Sequence, residues 1–236
     1  MVHLLLPILF FFLLESTSAK SYKCGTAEGY APYQYIQDGK ESGLDLEIVK
    51  EFNKIGPHQI SVRSGEWDSL VSELFHTSGV DCLIGMEKTK SREANFVFSK
   101  TVYKRESSLV LLQSSTINKL NSFNGEFVCG DKNSSLESYL VGQEEAKVRL
   151  IYMESKEKCM IALKNGSISA AIMPVKVSKY LSKKMNIKLK SLINGQFSSN
   201  VGFAFKVNKK NDLNSFNKQL LKLIKKKSFK QLLKKY

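Results

Sequence analysis

The chain has 236 residues, of which 42% are hydrophobic and 10% aromatic, and this apolar content argues against wholesale disorder. Its 14 glycines and 4 prolines exclude fibrous and low-complexity classes, and its length allows one large domain or two of about 100–120 residues. The 36 Lys and Arg residues outnumber the 22 Asp and Glu residues, which gives a net charge of +14. Only four of these basic residues are Arg, so the charge argues against a protein that recognises nucleic-acid bases.

The first element is an apolar run at residues 4–14, followed by small and polar residues up to Ala19. A run of 11 residues is too short to span a bilayer, which takes about 20. It is typical of a secretory signal with cleavage after Thr17-Ser18-Ala19, although no Lys or Arg precedes it. We expect a signal peptide at residues 1–19 and an exported chain from about Lys20. A buried N-terminal helix is the alternative.

Strand and helix patterns then alternate. Helical spacing of apolar residues runs from Leu44 to Ile55 and from Leu70 to Phe75. The other candidates are strands at residues 22–26, 59–63, 81–85, 126–129, 149–152, 170–173 and 201–207, and helices at 137–142 and 155–163. This alternation predicts an α/β fold with mainly parallel sheets.

The two halves of the chain have the same order of elements, and two extended stretches, at residues 103–113 and 199–207, flank the second half. We therefore predict a second lobe inserted into the first, with a hinge made of the two extended crossings. Lobe 1 would comprise residues 20–106 and 203–236, and lobe 2 residues 107–202. A cleft between two such lobes is a common place for a ligand.

The four cysteines, Cys24, Cys82, Cys129 and Cys159, can form disulfides in an exported chain. Their separations of 58, 47 and 30 residues are not those of metal ligands, and we expect no metal and no other cofactor. Cys82 lies in an apolar strand pattern, so we expect it to pack without a disulfide. The residues before Cys24 do not resemble a lipoprotein site. The sequence leaves the pairing open.

The C-terminal residues 206–236 contain 11 Lys and one acid. Leu213, Phe216, Leu220 and Leu223 share one helical face, followed by a second apolar face from Phe229 onward. The segment could be a docked helix pair with a solvated basic back, a contact for an anionic membrane, or a nucleic-acid site. The apolar faces favour the docked pair, because a basic arm does not need them.

Several motifs resemble one family, and they occur in the same order over about 200 residues. They are Gly29-Tyr-Ala-Pro-Tyr33, Ser42-Gly-Leu-Asp-Leu46, Glu66-Trp-Asp-Ser-Leu70, Val80-Asp-Cys-Leu-Ile-Gly85, Thr89-Lys-Ser-Arg92 and Phe96-Val-Phe-Ser99. Together they resemble the family 3 extracellular solute-binding proteins, the periplasmic receptors of ABC importers for polar amino acids. The resemblance implies a two-lobe, type II periplasmic-binding-protein-like fold that captures its ligand by hinge closure.

Arg92 is the first candidate for a ligand anchor. Thr89 can cap a short helix three residues before Arg92, so the guanidinium and free N–H groups would point to one place. A planar guanidinium binds a carboxylate with two parallel hydrogen bonds, which Lys cannot reproduce. A solvated surface arginine is the alternative.

The resemblance implies further site residues. Tyr30 and Trp67 match the aromatic walls of the family's ligand site, although each could simply be a core residue. Gly85 would let the ligand approach the backbone. Asn133 and Ser134 open a helix in the second lobe and would offer backbone N–H groups to the ligand.

The chain departs from the family pattern where a carboxylate normally holds the ligand's ammonium group. Here that stretch is Pro174-Val175-Lys176 and contains no acid. Glu87, in place of the family's more usual small polar residue, or Glu28 would take over this role. Otherwise the ligand is not an ordinary α-amino acid.

We therefore expect a monomeric periplasmic protein that captures a small carboxylate-bearing solute, such as an amino acid, and delivers it to an ABC-type membrane permease, without nucleic acid. One alternative is an exported dehydratase-like enzyme, which needs a general acid or base in the cleft. Neither His58 nor His76 lies in a matching motif, which leaves Glu87 for that role. The other alternative is a sensor or effector lobe that signals to a partner.

Overall fold

The computed structural model describes residues 19–209 and 212–236, with only the backbone of Asn194 and Gly195. Residues 1–18 of the expected signal peptide lie outside the described residues. Among the described helices, none has the length and apolar content needed to cross a membrane.

Strands and helices alternate along the chain, as the sequence predicts. The strands are β1 (Ser21–Ala27), β2 (Gly29–Tyr30), β3 (Gln34–Gln37), β4 (Lys40–Ser42), β5 (Gln59–Gly65), β6 (Cys82–Glu87), β7 (Phe96–Phe98), β8 (Tyr103–Leu112), β9 (Phe127–Cys129), β10 (Arg149–Ile151), β11 (Ala170–Pro174) and β12 (Leu189–Lys206). The helices are α1 (Leu44–Asn53), α2 (Trp67–His76), α3 (Lys90–Glu93), α4 (Ser135–Val141), α5 (Lys156–Lys164), α6 (Val175–Met185), α7 (Leu213–Ile224) and α8 (Lys227–Lys235). Short 3-10 turns lie at Leu120–Ser122 and Val207–Lys209.

One sheet runs through both halves of the described chain, in the order β10-β9-β11-β8-β12-β6-β1-β5, with β7 paired to β12. Pairing is parallel between β1, β5 and β6, and parallel between β9, β10 and β11. The pairs that involve β8 or β12 are antiparallel. The predicted α/β class is confirmed, but the expectation of mainly parallel sheets is wrong: the sheet is mixed, because the long strands β8 and β12 pair antiparallel with their neighbours in both lobes.

The two long strands β8 and β12 connect the lobes. The first lobe is built on β1, β5 and β6, and the second on β9, β10 and β11. Residues 103 to 112 of β8 pair with residues 189 to 201 of β12, with two register shifts between Ser191 and Phe197. This arrangement gives the two-lobe fold with two extended crossings. The lobe boundaries at residues 106/107 and 202/203 stay predictions.

Strand β12 and helix α6 are two of the elements that differ from the sequence prediction. The crossing expected at residues 199–207 is the end of an 18-residue strand that begins at Leu189. Its first part contains Asn, Gly and Ser residues, which disfavour a strand in isolation, but the ladder with β8 supplies its hydrogen bonds. Helix α6 was not predicted because its sequence is mostly polar, and the two apolar residues that it buries, Val177 and Leu181, are separated by Ser, Lys and Tyr.

The basic C-terminal segment is a pair of helices docked on the first lobe. Phe216, Leu220 and Leu223 of α7 are fully buried, and Phe229 of α8 is 2% exposed. The ring of Phe216 stacks on Phe52 of α1 with 4.8 Å between centroids. Burial of this face agrees with the docked-pair prediction, and each large apolar side chain contributes about 1.5–3 kcal/mol.

The structure contains two disulfides, and the expectation that Cys82 has no partner is wrong. Cys24 and Cys82 are direct neighbours in the parallel pair of β1 and β6, with Cα atoms 4.5 Å apart. The prediction failed because it treated the strand of Cys82 alone, without its neighbour in the sheet. Cys129 of β9 forms the second disulfide with Cys159 of α5.

Candidate functional site

A cavity of about 300 Å³ lies between the two lobes. This volume is at the lower end of the range for small-molecule sites, about 300–1,000 Å³. The first bank comes from lobe 1 and consists of residues 27–30 and 65–68 with the single residues Gln34, Gly85, Arg92 and Arg105. The second bank comes from lobe 2, at residues 130–132 and 152–156. A solute in the cavity would therefore touch both lobes.

Two aromatic residues that the sequence singled out line the first bank. Tyr30 lies on β2, and burial raises the pKa of its hydroxyl well above the ordinary value. Trp67 is the first residue of α2 and the only tryptophan of the chain. The carboxylate of Glu66 caps this helix by accepting from the amides of Asp68 at 3.0 Å and Ser69 at 2.7 Å. The cap fixes Trp67 and Asp68 at the cavity.

Gly85 also lines the cavity, and two constraints require a glycine there. Its φ of 70° is a left-handed conformation that disfavours other residues. A Cβ atom at this position would also collide with the side chains of Asp45 and Gln34, which lie directly behind it.

Arg105 of the hinge strand β8 lines the cavity, and the sequence analysis missed it. Its side chain is only 5% exposed, and its guanidinium lies 5.1 Å from the centroid of the Tyr30 ring and 5.5 Å from that of Tyr33. Nη1 donates to the carbonyl of Gly85 at 3.1 Å. The buried Nε has no acceptor within the described residues. A lone Arg in an extended polar stretch carries no motif, so only the folded sheet reveals that it faces the cavity.

The second bank carries a buried ion pair between Asp131 and Lys156, 3.1 Å apart. Lys156 also donates to the carbonyl of Gly130 at 3.0 Å. Burial alone would raise the pKa of Asp131, but the positive charges of Lys156, Arg92 and Arg105 outweigh it and lower that pKa. Asp131 therefore stays ionised at neutral pH. The sequence analysis missed both residues, because neither belongs to a recognisable motif.

Arg92 lines the cavity and also bridges the two lobes. Its Nη1 donates to the carbonyl of Glu87 at 3.1 Å, and its Nη2 donates to the carbonyl of Lys132 in the second lobe at 2.8 Å. The short helix α3 holds it there, since the Thr89 hydroxyl caps that helix by accepting from the Arg92 amide at 3.3 Å.

Three of the other predicted site residues make contacts between the lobes beside the cavity. The Thr89 hydroxyl donates to the carbonyl of Asn133 at 3.0 Å. The buried carboxylate of Glu87 accepts from the amide of Ser135, at the start of α4, at 3.1 Å. Together with the bridge from Arg92 to Lys132, we call these the cross-lobe contacts.

Ser134 has a local role in the structure. It is fully buried and caps α4, because its hydroxyl accepts from the amide of Glu137 at 3.1 Å. Of the eight predicted site residues, four line the cavity, and they are Tyr30, Trp67, Gly85 and Arg92. The other four lie beside it, and they are Glu87, Thr89, Asn133 and Ser134.

The two carboxylates suggested for a ligand's ammonium group have different positions. Glu28 is exposed and lines the cavity, whereas Glu87 is 1% exposed and does not line it. Glu87 instead accepts from Ser135 and from the hydroxyl of Ser199 at 2.5 Å. Within the described residues, no group of three or more His, Cys, Asp or Glu side chains could hold a metal ion.

Comparison with known proteins identifies the family to which this chain belongs. The profile of the bacterial extracellular solute-binding proteins, family 3, matches residues 22–236. The L-cystine-binding protein TcyK of Bacillus subtilis is 25% identical over 85% of this chain and 77% of its own length. The arginine-binding extracellular protein ArtP of the same organism is 26% identical over 48% of this chain, and the match spans about half (45%) of ArtP.

Solved structures share the fold. A histidine kinase sensor domain with similarity to periplasmic binding proteins superposes with a TM-score of 0.81 at 19% identity, covering 92% of this chain and 95% of its own. An ancestral arginine-binding protein bound to arginine gives 0.80 at 21% identity, covering 92% and 97%. The ancestral amino acid-binding protein AncCDT-1, a precursor of cyclohexadienyl dehydratase, gives 0.75 at 19% identity, covering 92% and 95%. At these identities the likeness concerns the fold alone.

Proposed function

Because the chain belongs to the bacterial extracellular solute-binding proteins, family 3, we propose that it captures a small polar amino acid, or a similar carboxylate-bearing solute, in the cavity between its lobes. The observation that carries this proposal is the composition of the cavity. It is lined from both lobes, and it combines two guanidinium groups, Arg92 and Arg105, with the aromatic rings of Tyr30 and Trp67. A solute held by both banks stabilises the closed arrangement of the lobes.

The charged groups of the cavity suit a ligand with both an anionic and a cationic end. A carboxylate would accept from a guanidinium, and an ammonium group would face a carboxylate such as Glu28. The binding proteins named above for arginine and cystine are relatives with amino-acid ligands. On this basis we propose that the ligand of this chain is also an amino acid.

We propose that the protein is a monomer in the periplasm after its signal peptide has been removed. It would deliver the solute to an ABC-type permease in the membrane. The expectation of export rests on the apolar N-terminal run and on an extracellular family. Two disulfides in the structure agree with an oxidising compartment.

We infer binding without catalysis. The acid suggested as a catalytic group, Glu87, lies outside the cavity and is held by Ser135 and Ser199. The buried His58 is bound to the backbone amide of Lys20 at 3.3 Å, away from the cavity lining. A general acid or base must reach the substrate, and neither group is placed to do so.

The single tryptophan gives a direct test, since Trp67 lines the cavity. We expect one or more of the polar amino acids, with L-arginine, L-histidine and L-cystine in the panel, to change the fluorescence of Trp67 in a saturable way with one site per chain. Binding should be lost when Tyr30 is replaced by Ala and kept when the exposed Phe127, away from the cavity, is replaced by Ala. If no panel member changes the fluorescence or the melting temperature, the proposed function is wrong.

A further inference from the structure

The net positive charge of the chain comes from its last third. Residues 158–236 contain 19 Lys, no Arg and one acid, whereas residues 1–157 contain 17 basic and 21 acidic residues. The single acid of the last third, Asp212, pairs with Lys20 at 2.7 Å. Such an asymmetry between two parts of a chain is typical of proteins that contact a nucleic acid or a membrane. The position of the lysines in the fold helps to decide between these partners.

Helices α6 and α8 belong to this part of the chain and present lysines to solvent. Neither helix has an acid in its sequence. Both bury apolar residues, Val177 and Leu181 in α6 and Phe229 in α8, so the lysines take the outer sides. Within the described residues, only one of these lysines pairs with an acid, Lys184 with Glu157 at 3.0 Å. The exposed lysines are Lys176, Lys179, Lys183 and Lys184 on α6, and Lys227, Lys230, Lys234 and Lys235 on α8.

Three tyrosines join the two helices into one surface. The rings of Tyr35 in β3 and Tyr180 in α6 have centroids 6.1 Å apart. Tyr236 follows directly after α8, and burial together with the nearby hydroxyl groups of Tyr236 and Tyr180 raises the pKa of Tyr35. Strand β3 and helix α8 also pack on the same helix, α1. We call the eight lysines and these three tyrosines the basic face, and it takes one helix from each lobe.

The lysines of the basic face lie around its aromatic rings. Lys176 and Lys184 are four residues before and after Tyr180, so they share its side of α6. The ammonium group of Lys235 lies 5.3 Å from the centroid of the Tyr236 ring.

The acid beside Tyr236 is itself neutralised. Burial and the nearby carboxylate of Glu47 raise the pKa of Tyr236, and Glu47 pairs with Lys50 at 2.8 Å. The positive charge of the basic face therefore has little compensation from α1.

The composition of the basic face favours one kind of partner. Proteins that recognise a nucleic acid rely on the planar fork of Arg, and this face contains no Arg. A protein partner would have to immobilise many flexible lysines, and Lys is depleted from protein interfaces. An anionic bilayer requires no fixed geometry. Each Lys near its surface strengthens binding about fivefold, and tyrosine rings favour the boundary between water and lipid.

We propose that the basic face binds the surface of a membrane that contains anionic phospholipids. The binding is electrostatic and reversible, because the apolar sides of α6 and α8 are buried in the fold and do not face the bilayer. None of the eleven described residues of the face lines the cavity, so binding leaves the cavity lining unchanged. This inference goes beyond the proposed function and does not depend on which solute is bound.

Co-sedimentation with lipid vesicles tests the inference. The protein is purified from about Lys20 onward, so that the apolar N-terminal run does not contribute. We expect it to bind vesicles of about 30% phosphatidylglycerol in phosphatidylcholine at about 50 mM NaCl. Binding should be at least tenfold weaker at about 300 mM NaCl, and at least tenfold weaker to phosphatidylcholine alone. Equal binding to both kinds of vesicle, or binding to neither, contradicts the inference.

Three variants with four Lys→Gln substitutions each locate the surface. The first changes the four lysines of α8, and the second changes the four of α6. The third is the control and changes exposed lysines elsewhere, at Lys90, Lys104, Lys119 and Lys147. The α8 and α6 variants should each bind the anionic vesicles at least tenfold more weakly than the wild type. The control should lose at most threefold, although it loses the same charge. Circular dichroism and melting temperature establish that each variant is folded.

The inference is overturned if all three variants lose affinity equally, because net charge alone would then explain the binding. A loss in only one of the α6 and α8 variants contradicts a face shared by both helices. A DNA duplex with the same phosphate concentration as the phosphatidylglycerol should leave most of the protein on the vesicles, because it offers no lipid boundary to the tyrosines. Complete displacement by the duplex would show a nucleic-acid partner instead. These results are independent of amino-acid binding measured by Trp67 fluorescence, so either proposal can fail without the other.

Discussion

Asp45 is a buried acid directly behind the cavity. Its two oxygens accept from the amide of Gln34 at 2.7 Å and from the hydroxyl of Tyr103 at 2.9 Å. Burial raises the pKa of Asp45 to about 6, more than these hydrogen bonds and the charge of Arg105 lower it. Gln34 lines the cavity, so protonation of Asp45 affects a hydrogen bond that holds a residue of the cavity wall.

The raised pKa makes the stability depend on pH in a known direction. Well below pH 4 Asp45 is protonated in both the folded and the unfolded chain. Between pH 4 and 6 the unfolded chain releases the proton first, so the free energy of unfolding falls as pH rises, by about 3 kcal/mol for this group. Acids whose pKa is lowered in the folded chain, such as Asp131, have the opposite effect: at lower pH they make the free energy of unfolding rise with pH.

We expect Asp45→Asn to remove this contribution, because the amide keeps the size of the side chain and can donate to the Tyr103 oxygen. Urea unfolding at pH 4.0 and pH 7.0 should show the variant gaining stability relative to the wild type by about 2 kcal/mol between the two values, since part of the effect lies below pH 4.0. Asp38→Asn in the exposed turn after β3 is the control and should show no such change. If the free energy of unfolding changed equally with pH in the wild type and in Asp45→Asn, the raised pKa of Asp45 would be refuted.

Residues of the site differ in how well the sequence predicts them. Tyr30, Trp67, Gly85 and Arg92 lie in local motifs, and all four line the cavity. Arg105 could not be predicted, because its position depends on the register of β8 against β12 and on the tyrosines that contact it from β2 and the following loop. The role of Cys82 likewise depended on its neighbour in the sheet.

Helix α4 of the second lobe begins at the cross-lobe contacts. The N-terminus of a helix favours negative charge, because its first N–H groups have no partner in the helix. The Glu87 carboxylate from the first lobe accepts from one of them, the amide of Ser135. This contact stabilises the closed arrangement from outside the cavity.

We therefore expect Glu87→Gln to weaken solute binding by about three- to tenfold, since it keeps the acceptor oxygen but loses the charge at the helix terminus. The factor should be equal for an amino acid and for its N-acetyl derivative, because Glu87 does not line the cavity. Titrations followed by Trp67 fluorescence measure both. A loss confined to the ligand with a free amine would show that Glu87 binds the ammonium group directly.

Helices and strands whose apolar residues recur with a clear period could be predicted from the sequence. Helices α1 and α2 and strands β1, β5, β6 and β11 were predicted from their apolar patterns. It missed the small sheet of β2, β3 and β4, whose strands have two to four residues, and helix α6, whose sequence is mostly polar. Such elements are stabilised by contacts with the rest of the fold, which a local pattern does not contain.

At the scale of the whole molecule, the positive charge and the ligand site are separate. Much of the net charge belongs to residues 206–236, with 11 Lys and one acid, whose helices dock on the first lobe through their apolar faces. The cavity between the lobes instead has nearly balanced charge, with five acidic and four basic side chains in its lining. The overall charge therefore says little about the chemistry of the ligand.

The cavity relates the proposed function to the two-lobe fold, because it lies between lobes that strands β8 and β12 join. A solute that touches both banks should slow the local opening of backbone hydrogen bonds in both of them. Solute capture should therefore protect two segments that are distant in sequence.

Hydrogen–deuterium exchange of the purified protein, with and without saturating L-arginine or the panel amino acid that Trp67 detects, tests this claim most directly. We expect slower exchange in both lobes, at residues 85–92 of the first and 130–137 of the second, with no change in α7 and α8. Protection restricted to one lobe, or located in the C-terminal helices, would contradict capture of the solute between the lobes.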